Sequence, residues 1–94
     1  MKIAIYPGSF DPITLGHLDI IRRAALCFDK VFVCVMDNCD KKSHMFPAEK
    51  RLEMLRRSVE ELPNVEAELY RGLLADYARE KGGHVIVKGL RNAT

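Results

Sequence analysis

Four short, mainly apolar segments alternate along the chain with three segments in which apolar residues recur at helical spacing. The short segments are rich in Val and Ile or alternate in polarity, and such a pattern predicts β-strands. These strands cover residues 2–6, 30–36, 65–70 and 84–89. The helical segments cover residues 15–28, 47–62 and 73–83. Pro47 at the start of the second helix and Gly82-Gly83 at the end of the third are typical boundary residues.

The order β-α-β-α-β-α-β predicts an α/β fold, with a Rossmann-like parallel sheet that carries helices on both faces. No internal repeat or linker divides the chain, so we expect a single domain over residues 1–94. Ligands of such sheets bind beyond the carboxyl ends of the strands. The loops that should form a site are therefore residues 7–16, 37–46 and 89–94.

Composition excludes several classes of function. The net charge of +2, with acidic and basic residues interleaved, argues against a nucleic-acid partner. No apolar run approaches the ~20 residues of a membrane span, so we expect no membrane association. The chain opens directly into a strand without the layout of a signal peptide, which favours a cytoplasmic location.

The three cysteines are Cys27, Cys34 and Cys39. Their number is odd and no pair has CxxC spacing, so we expect reduced thiols and no metal site built by the protein. Cys27 and Cys34 lie in apolar runs, which predicts that both are small core residues.

The loop after the first strand carries the clearest chemical pattern. Gly8 and Gly16 let the backbone approach a ligand, while Ser9 and Phe10 offer N–H groups at the strand end. His17 lies in the first turn of a helix, where free N–H groups and the helix dipole attract anions. Each feature alone is typical of an ordinary turn or a structural histidine. Their combination favours phosphate binding about as strongly as an ordinary structural turn.

Two motifs give a more specific indication. Residues 14–17, Thr-Leu-Gly-His, resemble the (H/T)xGH motif of the nucleotidyltransferase superfamily. The upstream YPGSFDP and the later KGLR at residues 88–91 are similar to the phosphopantetheine adenylyltransferase family in particular. The paired lysines of the second loop and the Met-Phe before the second helix also match. The resemblance extends over all 94 residues.

The resemblance implies transfer of the AMP part of ATP to 4′-phosphopantetheine, with dephospho-coenzyme A and pyrophosphate as products. Ser9 and Phe10 would bind nucleotide phosphate through backbone amides, and the Ser9 hydroxyl would also reach substrate phosphate. His17 would bind ATP and stabilise the transition state. Mg²⁺ is expected on the ATP phosphates.

The other implied site residues lie in the second and third loops or after the third strand. Lys41 would neutralise the attacking phosphate, with Lys42 as the fallback because His44 resembles a one-residue insertion. A pair of loop lysines is more often simply solvated. Leu74 would line the pantetheine pocket, although its spacing alone is more typical of core.

The KGLR stretch supplies the remaining contacts that the resemblance implies. Lys88 stands where the family often has Arg, and would bind substrate phosphate without the bidentate fork of Arg. Gly89, Leu90 and Arg91 would contact ATP, with Arg91 catalytic on the phosphates. Both charged residues could be ordinary surface charges, although their position at a strand end favours a role in the site.

Family members are longer, and their next acidic-aromatic segment and Ser-rich ATP loop have no counterpart here. The resemblance therefore implies an N-terminal portion of an incomplete nucleotidyltransferase fold. We expect such a piece alone to have an exposed fourth strand, marginal stability or self-association, and little activity. The full-length family is hexameric, which implies a homo-oligomer.

Two other functions remain open on the sequence. One is another superfamily activity, a cytidylyltransferase or a nicotinamide-nucleotide adenylyltransferase, against which Thr14 and the KGLR stretch argue. The second is a non-catalytic nucleotide-binding or assembly fragment. A flavodoxin-like binding module would leave Gly16, His17 and residues 88–91 without a shared purpose.

Overall fold

The computed structural model describes residues 1–37 and 46–87 of the chain. The described strands are β1 (Ile3–Gly8), β2 (Lys30–Met36), β3 (Val65–Tyr70) and β4 (Val85–Ile86). The described helices are α1 (Leu15–Cys27), α2 (Ala48–Val59) and α3 (Leu74–Lys81). The alternation of strands and helices that the sequence predicts is confirmed.

The four strands form one sheet in the order β3-β2-β1-β4, and every pairing is parallel. β1 lies in the interior of the sheet between β2 and β4. It continues past the predicted end at Tyr6, because Pro7 and Gly8 still pair with Cys34 and Val35. The backbone leaves the sheet two residues later than the Pro-Gly signal indicates.

The helices cover both faces of the sheet, as predicted. Apolar residues of α1 and α2 share one core cluster with one face of the strands, and Tyr77 of α3 lies in a cluster on the other face. Period-two alternation along β2 explains the division, since Val31, Val33 and Val35 face α1 and α2 while Cys34 faces α3.

The ends of α1 and α3 are closed by specific contacts, whereas α2 ends at Val59, before the predicted residue 62. Gly82 ends α3 in the left-handed conformation, with φ of 68°. A Cβ on Gly83 would collide with Ile5 of β1, so this position lets α3 approach the sheet closely. Asn64 donates hydrogen bonds to the carbonyls of Ala25 and Phe28, which ties the end of α1 to the start of β3.

The prediction for one cysteine is wrong. Cys27 is exposed, because it lies about 120° around α1 from the buried Ile21 and so falls off the apolar stripe. Cys34 is buried in the sheet, as predicted. Burial, with the nearby charge of Glu68, raises the pKa of the Cys34 thiol to about 12.

A polar cluster joins β3 to α3. Tyr77 donates a 2.8 Å hydrogen bond to Glu68, and Lys81 forms a 2.9 Å ion pair with the same carboxylate. The Lys81 ammonium also lies 5.2 Å from the ring centroid of Phe32. Burial alone would raise the pKa of Glu68, but the hydrogen bonds from Lys81 and Tyr77 outweigh it and lower the pKa.

The described part of β4 is an open edge of the sheet. Val85 and Ile86 point to opposite faces, yet they are 42% and 36% exposed. None of the described helices, which have 8 to 13 residues, is long and apolar enough to cross a membrane.

We expect Glu68→Gln to lower the free energy of unfolding by about 1–2 kcal/mol near neutral pH, because it removes a charge-assisted cluster. A carboxylate whose pKa is lowered on folding stabilises the protein above its ordinary pKa of 4.5. That stabilisation disappears as the pH falls through the lowered value. Chemical denaturation of both proteins across the acid range measures the difference.

Glu66→Gln is the matched control on the same strand, because its ion pair with Lys30 is half exposed. It should cost clearly less than Glu68→Gln. A penalty for Glu68→Gln that stays constant from about pH 7 to about pH 3 would contradict the role assigned to this carboxylate.

Candidate functional site

The order of the strands predicts a ligand-binding crevice at the carboxyl end of β1. α1 carries the chain to β2 over one face, whereas α3 returns it to β4, on the other side of β1, over the opposite face. Loops on either side of such a switch point diverge, and ligands bind in the gap between them. The turn at residues 9–14 leaves β1 at this point.

Phe10 is the anchor of that turn. Its backbone has φ of 47°, a left-handed conformation that costs a non-glycine residue about 1–2 kcal/mol. Its side chain is 2% exposed and packs edge-on against Tyr6 and His17, with ring centroids 5.3 and 5.0 Å away. Burial of a Phe side chain contributes about 1.5–3 kcal/mol, enough to offset the strained backbone.

Thr14 and His17 form a reciprocal cap at the start of α1. The backbone N–H of His17 donates to the Thr14 hydroxyl oxygen at 3.3 Å. The backbone N–H of Thr14 donates in return to Nδ1 of the His17 ring at 3.0 Å. Because a backbone N–H can only donate, Nδ1 is the acceptor, and the ring proton lies on Nε2. His17 is therefore held as a hydrogen-bond donor through Nε2.

The turn after β1 is tied to the start of α2. Asp11 accepts a 2.9 Å hydrogen bond from the backbone N–H of Phe46. Arg51 of α2 donates to the carbonyls of Ser9 and Phe46, both at 3.0 Å. The Ser9 residue itself is exposed, directly after the end of β1.

A charged network continues from Arg51 along the strand ends. Asp37, directly after β2, is 6% exposed and lies 3.8 Å from Arg51 and 3.0 Å from Arg71. Arg71, directly after β3, also reaches Glu49 at 3.4 Å. The hydrogen bond to Asp37 raises the pKa of Arg71.

Sequence reasoning missed Arg51, Asp37 and Arg71. One signal was available for Arg51, because it stands four residues before Leu55 and eight before Val59, on the apolar stripe of α2. A charged residue at such a position is buried only when partners satisfy it. No pattern in the sequence reveals that these partners are carbonyls of two separate loops.

Of the predicted site residues, Phe10 and His17 are in contact through their rings, and Ser9 directly precedes Phe10 in the turn after β1. Leu74 begins α3 and packs in the core cluster that contains Tyr77, on the opposite face of the sheet. The other predicted positions lie outside the described residues: Lys41, Lys42, Lys88, Gly89, Leu90 and Arg91. Within residues 1–37 and 46–87, no three His, Cys, Asp or Glu side chains converge to hold a metal ion.

Comparison with known proteins gives a consistent result. Residues 5–94 match the family described as cytidylyltransferase-like. A phosphopantetheine adenylyltransferase from Clostridium novyi (strain NT) is 55% identical over 91 residues, which are 97% of this chain and 56% of that protein. One from Symbiobacterium thermophilum is 57% identical over 88 residues, 94% of this chain and 54% of that protein. The chain thus spans about half the length of these relatives.

A solved structure shares the architecture. A lipopolysaccharide core biosynthesis protein from Thermoplasma volcanium GSS1 superposes with a TM-score of 0.73, over 92% of this chain and 72% of its own. Its sequence is 24% identical, so the likeness concerns the fold alone.

We expect Thr14→Val to lower the free energy of unfolding by about 0.5–2 kcal/mol, because the first turn of α1 loses the hydroxyl that caps it. Thr14→Ser keeps the hydroxyl and should stay close to the unsubstituted protein. Urea denaturation of the three proteins measures this. Equal losses for the Val and Ser variants would show that the hydroxyl does not cap α1.

Proposed function

Because the chain belongs to the cytidylyltransferase-like family, we propose that it transfers the AMP part of ATP to 4′-phosphopantetheine in the synthesis of coenzyme A. The products are dephospho-coenzyme A and pyrophosphate. The names of its relatives, at about 55% identity, support this choice of substrates. The observation that carries the type of reaction is the oriented imidazole of His17 above the end of β1.

In the proposed reaction, an oxygen of the pantetheine phosphate attacks the α-phosphorus of ATP. One P–O bond forms there, and the bond from the α-phosphorus to the bridging oxygen breaks, so pyrophosphate leaves with the electron pair. A phosphate is already an anionic nucleophile, and no covalent enzyme intermediate is required. Catalysis can then consist of positioning and of stabilising the charge on the equatorial oxygens.

The described residues supply donors suited to that task. Nε2 of His17 would donate to an α-phosphate oxygen, and the N–H of Phe10 would bind a neighbouring phosphate. Both lie at the amino end of α1, where the helix dipole favours negative charge. The nucleotide would arrive as its Mg²⁺ complex, with the ion held by its phosphates.

Residues outside the described ranges would complete the site. Lys41 would neutralise the attacking phosphate, and Lys88 would bind it. Gly89, Leu90 and Arg91 would contact ATP. Leu74, which begins α3 after the end of β3, would line the pantetheine pocket. We also propose a cytoplasmic homo-oligomer, on the resemblance to a family whose full-length members are hexamers.

We expect His17→Ala to reduce turnover by about 100-fold or more, because a donor aimed at developing charge is lost. Its effect on ATP affinity should be modest, since the backbone donors remain. Turnover is measured by pyrophosphate release and ATP binding by calorimetry. Both measurements use the protein encoded by the complete reading frame. His84→Ala, at an exposed histidine beside β1, is the matched control. Near-normal turnover of His17→Ala would remove His17 from this role.

A substrate panel separates the proposal from other activities of the family. With 4′-phosphopantetheine present, ATP should give dephospho-coenzyme A, and CTP should give little product. Faster turnover with CTP, or with nicotinamide mononucleotide as acceptor, would replace the proposal with a different nucleotidyl transfer. ATP binding without turnover of any acceptor would instead support a nucleotide-binding role.

A further inference from the structure

Arg51 is the most buried charged residue among those described, with 1% of its surface exposed. Nη1 donates to the Ser9 carbonyl and Nε donates to the Phe46 carbonyl, while Nη2 lies 3.8 Å from Asp37. One guanidinium therefore joins the turn after β1, the start of α2 and the end of β2. Neither the motifs nor the proposed mechanism uses this side chain.

We propose that Arg51 is a positioning residue that sets the orientation of the Ser9–Phe10 peptide and thereby aims the Phe10 N–H at the substrate phosphate. The inference rests on the proposed function for the identity of that phosphate. It adds a residue from α2 to a site that is otherwise built from β1 and α1.

The Ser9–Phe10 peptide group links the direction of the Ser9 carbonyl to the direction of the Phe10 N–H. The Ser9–Phe10 peptide bond is trans. In a planar trans peptide the C=O and N–H point in opposite directions. Because Arg51 holds the Ser9 carbonyl on the α2 side, the Phe10 N–H points away from α2.

The backbone of Phe10 is strained and must be held by the groups around it. A non-glycine residue at φ of 47° persists only where its surroundings hold it. The buried ring of Phe10 holds one side of the peptide, and the hydrogen bond from Arg51 to Ser9 holds the other. Without the guanidinium, the ring alone does not define the rotation of the Ser9–Phe10 peptide.

A closed set of contacts joins the turn after β1 to the start of α2. Arg51 binds the Phe46 carbonyl, and the Phe46 N–H binds the carboxylate of Asp11 in the same turn as Ser9. The turn and the start of α2 are thus linked at two points. Lysine cannot replace this fork, since one ammonium on a flexible stem does not present donors in a plane.

The test compares Arg51→Lys and Arg51→Met with the unsubstituted product of the complete reading frame. Arg57→Lys is the control, because Arg57 lies on the same helix, is exposed, and pairs with Glu53 one turn away. Crystal structures without ligand report the φ of Phe10. Titration with inorganic pyrophosphate, followed by the NMR shift of the Phe10 amide, reports the donor itself.

In Arg51→Lys we expect Phe10 to leave the left-handed region and pyrophosphate binding to weaken roughly tenfold or more. Turnover should fall by roughly 100-fold, as for a donor misplaced by about 1 Å. The Arg57→Lys control should change none of these. If Arg51→Met fails to fold, Arg51→Lys decides the question.

The outcomes separate this inference from the proposed function. An unchanged Phe10 conformation, with pyrophosphate affinity within about twofold, would overturn the role of Arg51 even in an active adenylyltransferase. Loss of the Phe10 response in Arg51→Lys, in a protein that makes no dephospho-coenzyme A, would support Arg51 and reject the reaction. Absence of any Phe10 shift in the unsubstituted protein would overturn the donor role of Phe10 and with it the role of Arg51, while formation of dephospho-coenzyme A decides the reaction separately.

Discussion

The strand ends are joined by one buried guanidinium, and the arrangement of the site depends on it. Arg51 lies on the face of α2 that packs against the sheet, so its position follows from the packing of Leu55 and Val59. Burying a charge is unfavourable unless it is paired and hydrogen-bonded. Two loop carbonyls and Asp37 satisfy Arg51, and in doing so they hold their loops in place.

The same principle of mutual support operates within the turn after β1. The left-handed backbone of Phe10 is strained, but its ring packs between Tyr6 and His17. The imidazole of His17, which contacts the Phe10 ring, also accepts a hydrogen bond at Nδ1 from the backbone N–H of Thr14. The imidazole proton therefore lies on Nε2. The donors that we propose for phosphate are thus held by core packing and helix capping, the kind of preorganisation that electrostatic catalysis would require.

Much of the fold could be predicted from the sequence, because hydrophobic period and boundary residues are local signals. Gly82 ends α3 as expected. The errors have local causes too: Cys27 follows an apolar run but rotates off the buried stripe, and Pro7 with Gly8 continues β1 instead of ending it. For the site, the motif predicted the grouping of Phe10 and His17, and this grouping is present.

The sequence by itself determined the order of strands and helices, the parallel sheet, the turn that carries Ser9, and the helix start that carries His17. Hydrophobic periodicity and the residue types at a helix start depend on residues that are close together in the sequence. The elements that they predict can therefore be identified before the fold is known. Only the tertiary structure decided that Arg51 lies beneath that turn. Its main partners are backbone carbonyls of Ser9 and Phe46, and every residue has a carbonyl, so no residue type marks which two will converge on a buried charge.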